Sequence, residues 1–408
     1  MVRQVQALFA LHGGASVDEG TSAYCQARAK LPAALLARLF GASFSRTEAL
    51  APPPKRPLLQ GRVLRVVDAT STRLAESKSN RTAYPPSSNL TLGAGSPVLR
   101  IVVLFSLLSG AILAQASGSL QISELRLWLQ LLPQLLPQSI LLGDRAYSKY
   151  VVLALLHNAQ VDYLGAVGTR ARKVDFRRAL RRLDRHDALF TWKRPTPVSA
   201  FLDAAQWAAL PVTLIVRVLR VELAQPGQRT KHFTLVTTLL DPGLYPAEEL
   251  IAAYARRWRL EMCLDDLKTT LRMESLRCQS PAMVEKELLL FLTAHNLIRW
   301  LLVQTARTEG ADPERLSFKG ALDGFRQWSE AMAQAPSRGP RRQELWSQLL
   351  RIIAADQLPL RPGRHEPRAV KTPQKYPKLN KPRGQYVQRW SRGKRRRTAT
   401  AKRRVVLK

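Results

Sequence analysis

The stretch YARRWRLEMCLDDLKTTLR, residues 254–272, sets charge of both signs beside a clean apolar stripe. Advancing by about 100° per residue, Tyr254, Arg257, Glu261 and Lys268 fall within a sector of roughly 60°, with Asp265 next to it. Ala253, Leu260, Leu264, Leu267 and Leu271 make the neighbouring sector. The spacing therefore predicts a helix with one face for a core and one that gathers a phenol, a guanidinium, a carboxylate and an ammonium. Taken alone, this is also what a salt-bridged solvent face looks like, since Arg257 and Glu261 form an i,i+4 pair. What decides between the two readings is whether other parts of the chain bring partners to that carboxylate.

The composition narrows the choice. A chain of 408 residues that is 46% hydrophobic can bury a sizeable core in two or three domains. Its formal net charge of +34 implies a polyanionic partner, nucleic acid ahead of an anionic membrane surface. Cys25, Cys263 and Cys278 form neither a CxxC pair nor an even framework, so disulfides and structural zinc are not expected and a reducing, cytosolic setting fits. The six histidines show no HExxH spacing, and no role is assigned to them.

One apolar run, IVVLFSLLSGAILAQA at residues 101–116, is too short for the roughly 20 residues of a membrane span. Two β-rich halves across Ser109-Gly110 predict a buried β-hairpin instead. No membrane association and no cleavable leader are expected.

Along the chain, residues 1–58 read as a helical segment, taken as DNA-binding, that ends in the linker APPPKRP. Residues 59–167 then give a strand, RVLRVVDAT, ending in Asp68, the hairpin, a helix through SELRLWLQLLPQLL, a second strand ending in Asp144 within SILLGDRAYSKY, and the helix KYVVLALLHNA. That order predicts a mixed α/β sheet covered by helices. Residues 168–232 alternate basic segments with strands and read as a β-rich insertion. The α/β pattern resumes over 233–310, with the signature helix starting near Pro246 or Ala247 and a further long helix, MVEKELLLFLTAHNLIRWLLVQTA. A helical segment at 311–360 precedes a tail, 361–408, in which eighteen Lys or Arg face the single Glu366, a composition expected to be disordered until it meets a polyanion.

Asp68 and Asp144 close two strands expected to lie side by side, and ligands in such sheets gather at that edge. Either aspartate alone could be a turn former or helix cap. Joined by Glu261, they make three oxygen donors without histidine or thiolate, a set suited to two Mg²⁺ or Mn²⁺ ions rather than zinc. A pair of such ions serves phosphodiester cleavage and transfer. Arg257 and Lys268 can hold phosphates, and Tyr254 can reach one through its hydroxyl.

The spacing Tyr254, Arg257, Glu261, Lys268 resembles the Y-R-E-K signature of DDE transposases of bacterial insertion sequences, the IS-four family that includes the Tn-five type. VVDAT around Asp68 and LLGDRAYSKY around Asp144 are similar to its two aspartate strands, and LVTTLLDPGLYPAEEL and LRCQSPAMVEKEL look like its segments flanking the signature. The likeness runs from AYCQARAKLP to KYPKLNKPR. It implies a ribonuclease-H-like catalytic core interrupted by a β-strand insertion, with Asp68, Asp144 and Glu261 as catalytic metal ligands. It implies cut-and-paste chemistry on double-stranded DNA with terminal inverted repeats and on target DNA. End nicking by water comes first, then hairpin formation, then strand transfer by the 3′ hydroxyl. A homodimer in the synaptic complex and a bacterial, nucleoid-associated setting also follow from the likeness. Aromatic stacking against a flipped base has Phe233 and Trp192 as candidates, although either fits a core equally.

The chain departs from the pattern at Ala69, where the family has glycine, in a short segment before the core, and in the tail from Arg389 onward. Asp265 is an alternative ligand to Glu261. Two other functions share these residues: a ribonuclease-H-like nuclease without strand transfer, and an inactive DNA-binding protein whose acids are structural.

Overall fold

The computed structural model describes residues 20–53, 56–86, 95–168, 174–196, 199, 201–223, 231–257 and 259–359, with a few isolated positions before Gly20. The basic tail lies outside these residues.

In chain order the elements are α1 (Ser22–Lys30), α2 (Ala33–Leu50), β1 (Leu64–Leu74), α3 (Lys78–Ala83), β2 (Val98–Ser106), β3 (Ile112–Ser119), α4 (Glu124–Leu129), β4 (Ile140–Gly143), α5 (Tyr150–Asn158) and β5 (Asp162–Val167). Then follow β6 (Arg181–Asp184), β7 (Asp187–Lys193), α6 (Ala204–Ala208), β8 (Thr213–Leu223) and β9 (Lys231–Thr237). The chain continues through α7 (Ala247–Arg256), α8 (Arg259–Asp265), β10 (Ser275–Leu276), α9 (Pro281–Glu309), α10 (Phe318–Gln334) and α11 (Pro340–Ala355).

One mixed sheet organises them, in the order β3-β2-β1-β4-β5-β9-β8-β7-β6, with β10 added beside β1. β1, β4 and β5 run parallel while β2 and β3 form the antiparallel hairpin expected across Ser109-Gly110. Five strands in the order β3-β2-β1-β4-β5 with helices on both faces make the ribonuclease-H-like core. Val66 and Val67 point to opposite faces of β1 and both are fully buried, which is why this strand reads as a continuous apolar run. On one face Val66, Leu142 and Leu164 pack under α2, α7, α8 and α9; on the other Val67, Leu141 and Tyr163 pack under α4 and α5.

The β-rich insertion is not a separate sheet. β9 pairs antiparallel with β5 and with β8, so β6 to β9 prolong the core sheet sideways. Helix α9 is the spine of the helical side. Proline occupies its first position, Gly310 at φ 69° ends it, and α10 and α11 close over its second half through Leu302, Leu322, Leu349 and Ile353. Among the described helices it alone is long and apolar enough to cross a membrane, and more than half of its most apolar stretch is buried inside the protein. α2 is fixed on α9 through Asn296, whose amide donates to Ser43 Oγ at 3.1 Å and pairs with both backbone groups of Ile112 at 2.7 and 3.0 Å.

Three local expectations are corrected. The helix drawn through Pro133 stops at Leu129 and gives way to a 3₁₀ turn at Leu132–Gln134, because proline lacks the donor an α-helix needs there. β1 does not end at Asp68 but runs on to Leu74 beside β2; what ends near Asp68 is its pairing with β4. The signature is not one α-helix. It occupies α7 and α8 and then a π turn, Asp266–Thr270, so Lys268 is displaced from the angle that a regular α-helix would give it.

Candidate active site

The two aspartates meet by strand register. β1 and β4 pair Leu64 with Ile140, Arg65 with Leu141 and Val66 with Leu142, and Asp68 and Asp144 each follow two residues later. Neighbouring strands lie about 4.8 Å apart, so the two carboxylates emerge side by side where β4 ends. Each is turned back on its own chain: Asp68 Oδ1 accepts from Ala69 N–H at 2.8 Å, and Asp144 Oδ1 from Ala146 N–H at 2.7 Å.

Tyr163 props up the second aspartate. Its hydroxyl donates to the Asp144 carbonyl at 3.2 Å and bonds Ser148 Oγ at 2.9 Å. The ring has room because Gly143 and Gly165 face each other across β4 and β5. A Cβ on Gly165 would sit 2.1 Å from the phenol oxygen, and one on Gly143 would sit 2.8 Å from it.

The signature residues arrive from the opposite side. Tyr254 and Arg257 are buried, and the guanidinium lies over the Tyr254 ring, 5.4 Å from its centroid. The Tyr254 hydroxyl rests near Arg257 and the Ala166 backbone, and burial raises its pKa. Arg257 reaches toward Asp68 and also approaches Glu261 Oε1 at 3.7 Å. The Asp68 carboxyl is pushed up to about 6, chiefly by burial, with Asp144 and Glu124 raising it further and the Ala69 amide and Arg257 pulling it down.

Asp68, Asp144, Tyr254 and Arg257 are thus brought together. Glu261 is half exposed at the rim, and Lys268 stands on the π turn, partly buried. Among the described residues, no three His, Cys, Asp or Glu side chains are gathered closely enough to hold a metal ion. Asp265 faces solvent, where its Oδ1 accepts from the Thr269 hydroxyl at 2.8 Å. Phe233 packs against Tyr254, ring centroids 5.8 Å apart, and Trp192 is half-buried in the apolar cluster under the insertion.

Two residues that sequence reasoning passed over stand beside the aspartates. Glu124 opens α4 behind the Ser123 cap, and Tyr147 is fully buried against Trp128 with its hydroxyl beside Glu124. Tyr147 lies within LLGDRAYSKY, three residues after Asp144. Glu124 gave no signal, because an acid in the first turn of a helix is ordinary dipole chemistry.

A family model described as a transposase DDE domain matches residues 59–297, from the turn before β1 into α9. The chain belongs to that family. The transposase is 27% identical over 366 residues to Transposase InsG for insertion sequence element IS4 of Escherichia coli strain K12, a match covering 87% of this chain and 78% of that protein. Among solved structures it is similar to the cryo-EM structure of the piggyBac transposase synaptic complex with hairpin DNA, at TM-score 0.38 and 10% identity over 73% of this chain; it spans 57% of that chain.

DDE transposases generally work with divalent metal ions. The donors of this transposase fit a hard cation at the aspartate pair. Asp68 and Asp144 set two carboxylates, oxygen donors of the kind a hard cation takes, side by side where β4 ends.

Proposed function

We propose that this transposase excises and reinserts an insertion sequence by Mg²⁺-dependent cut-and-paste chemistry, acting as a homodimer that pairs two inverted-repeat ends. The observation that carries the proposal is the register of Asp68 with Asp144, with Arg257 beside them. Asp68, Asp144 and Glu261 would hold the metal. Two such cations, if bound there, would supply Lewis-acid activation of the attacking oxygen and stabilisation of the leaving one. Arg257, Tyr254 and Lys268 hold the phosphates on either side of the scissile bond, the guanidinium offering paired donors and the ammonium a point charge.

The sequence of bonds follows. Water attacks the phosphodiester at the element's end and the departing oxygen becomes a 3′ hydroxyl. That hydroxyl attacks the phosphodiester of the opposite strand, expelling the flanking DNA as a 3′ hydroxyl and leaving a hairpin, which a second water opens to a 3′ hydroxyl and a 5′ phosphate. The regenerated 3′ hydroxyl then joins target DNA. The exposed arginines of the insertion, with the tail, add sequence-independent affinity for the duplex backbone.

The test is cleavage of a labelled duplex carrying the element's end in Mg²⁺, by the wild type and by Glu261→Gln, which removes one ligand charge at nearly constant shape. Loss of cleavage with DNA binding retained supports the assignment. Equal cleavage by both proteins would remove Glu261 from the site. Joining of pre-cleaved ends to target DNA then separates transposition from simple hydrolysis.

A further inference from the structure

A buried ion pair of the insertion reaches the start of the signature helix. Arg217 on β8 is 1% exposed and its Nε contacts both Asp187 oxygens on β7, at 2.9 and 3.0 Å, while Nη2 closes the fork on Oδ2. One donor is not spent inside the insertion. Nη1 donates at 2.6 Å to the carbonyl of Tyr245, the residue just before Pro246, which caps α7.

The other holds on this corner come from the turn ahead of β1. Leu59 N–H donates to Glu249 at 3.0 Å, Gln60 to the Leu244 carbonyl at 3.0 Å, and Arg62 to the Tyr245 hydroxyl at 3.1 Å. The first turn of α7 is therefore clamped between the strand that bears Asp68 and the insertion. Of these four residues, Arg217 is the one that belongs to the insertion.

We propose that Arg217 is a positioning residue for the signature: through the Tyr245 carbonyl it sets where α7 begins, and so where Tyr254 and Arg257 stand relative to Asp68. A bond between a buried, doubly anchored guanidinium and a main-chain oxygen transmits position along a helix as a rigid body. Tyr254 and Arg257 lie nine and twelve residues beyond that oxygen, so a small tilt at the clamp displaces them most. Asp187 acts one step further back, by holding the guanidinium plane. The inference rests on the reading of α7 as the helix that brings phosphate-holding groups to the aspartates.

Arg217→Lys separates positioning from mere packing. An ammonium can keep the pair with Asp187 but cannot also span to Tyr245, because it offers a point charge in place of a fork. Hydrogen exchange of the full chain, read by mass spectrometry without DNA or metal, should show residues 246–257 exchanging at least about tenfold faster in Arg217→Lys, with β7 and β8 still protected. Arg217→Met serves as the second variant; it should loosen both regions. On end-bearing duplex, Arg217→Lys should lower the turnover of cleavage roughly tenfold or more with the DNA dissociation constant unchanged. Unchanged exchange over 246–257 in Arg217→Lys overturns the proposal, as does loosening spread equally through β7 and β8, or a loosened helix with wild-type turnover. Exchange is read without catalysis, so a wild type that cuts no DNA counts against the proposed function and leaves the exchange result to decide the clamp.

Discussion

Asp68 and Asp144 each lie two residues beyond Val66–Leu142, the last pair joining parallel β1 and β4, Asp68 still on β1 and Asp144 one residue past the end of β4. Their proximity is a property of the ladder, not of flexible loops, so it survives conservative change at either position. Replacing Asp68 or Asp144 by Asn should therefore leave the fold intact and lower Mg²⁺-dependent end cleavage by about a hundredfold or more. Circular dichroism and duplex binding should match the wild type. An Asn variant that cleaves at the wild-type rate would dissociate the pair from the chemistry.

Arg257 lies over the Tyr254 ring and reaches two acids, Asp68 and Glu261. Lysine keeps the charge but neither the stacking nor the fork, so Arg257→Lys should lose roughly tenfold or more in cleavage turnover. Its loss should exceed that of Lys268→Arg, where only a point charge on the π turn is exchanged. Single-turnover cleavage at saturating enzyme makes the comparison.

His295 is fully buried between Phe105 and Phe318, with Nε2 against the Gly110 carbonyl at 3.2 Å. Burial and then the Arg299 charge lower its pKa to about 3 from the ordinary 6.5. The sign is that of a depressed base. Above pH 6.5 the imidazole is neutral in both folded and unfolded chains and costs nothing. As pH falls from 6.5 toward 3, only the unfolded chain takes up the proton, and stability is lost. Urea denaturation at stepped pH should show this decline in the wild type and a shallower one in His295→Gln, beyond the common slope of the carboxylates.

Asn296 should be among the least replaceable residues of the helical side. Asn296→Leu leaves Ile112 N–H and C=O without partners in a dry interior, and a loss of about 3 kcal/mol or more is expected. The asymmetry is testable by denaturation, because Ser43→Ala, which removes the Asn296 bond and the hydroxyl's donation to the Phe40 carbonyl but leaves Ile112 partnered, should cost only about 1 kcal/mol.

The insertion's exposed Arg177, Arg178, Arg181 and Arg182 carry the electrostatic prediction. Changing each to Gln should weaken duplex binding without regard to sequence. The slope of log affinity against log salt should become less negative by about 0.9 for each phosphate that is no longer neutralised. Fluorescence anisotropy across a salt series measures it; an unchanged slope would move the backbone-binding surface elsewhere.

Much of this could be read from residues alone, for identifiable reasons. The Ser109-Gly110 step and the runs around it specify a hairpin locally, and VVDAT and LLGDRAY specify strands that carry an acid within or just after them. Tyr254, Arg257, Glu261 and Lys268 were legible as a spacing, but where they go was not. Periodicity assumes one helical geometry, and the π turn at Asp266–Thr270 changes that geometry midway through the pattern. Glu124 and Tyr147 come to the aspartates from the opposite face of the sheet, and Arg217 reaches Tyr245 across 28 positions. Such meetings are set by strand order, which no local pattern encodes. The continuity of insertion and core was hidden for the same reason, since β5 and β9 are joined only after the whole insertion has passed.

A sheet this wide presents two outer strands, and an unpaired outer strand invites a foreign one. At one margin β6 is only four residues long, exposes Arg181 and Arg182, and slips register against β7 between Arg182 and Asp184. At the other, the Asn296 amide occupies the backbone groups of Ile112 as a neighbouring strand would. Both margins are therefore poor templates for strand addition, and a protein that gathers on DNA is spared fusing into ribbons of its own sheet.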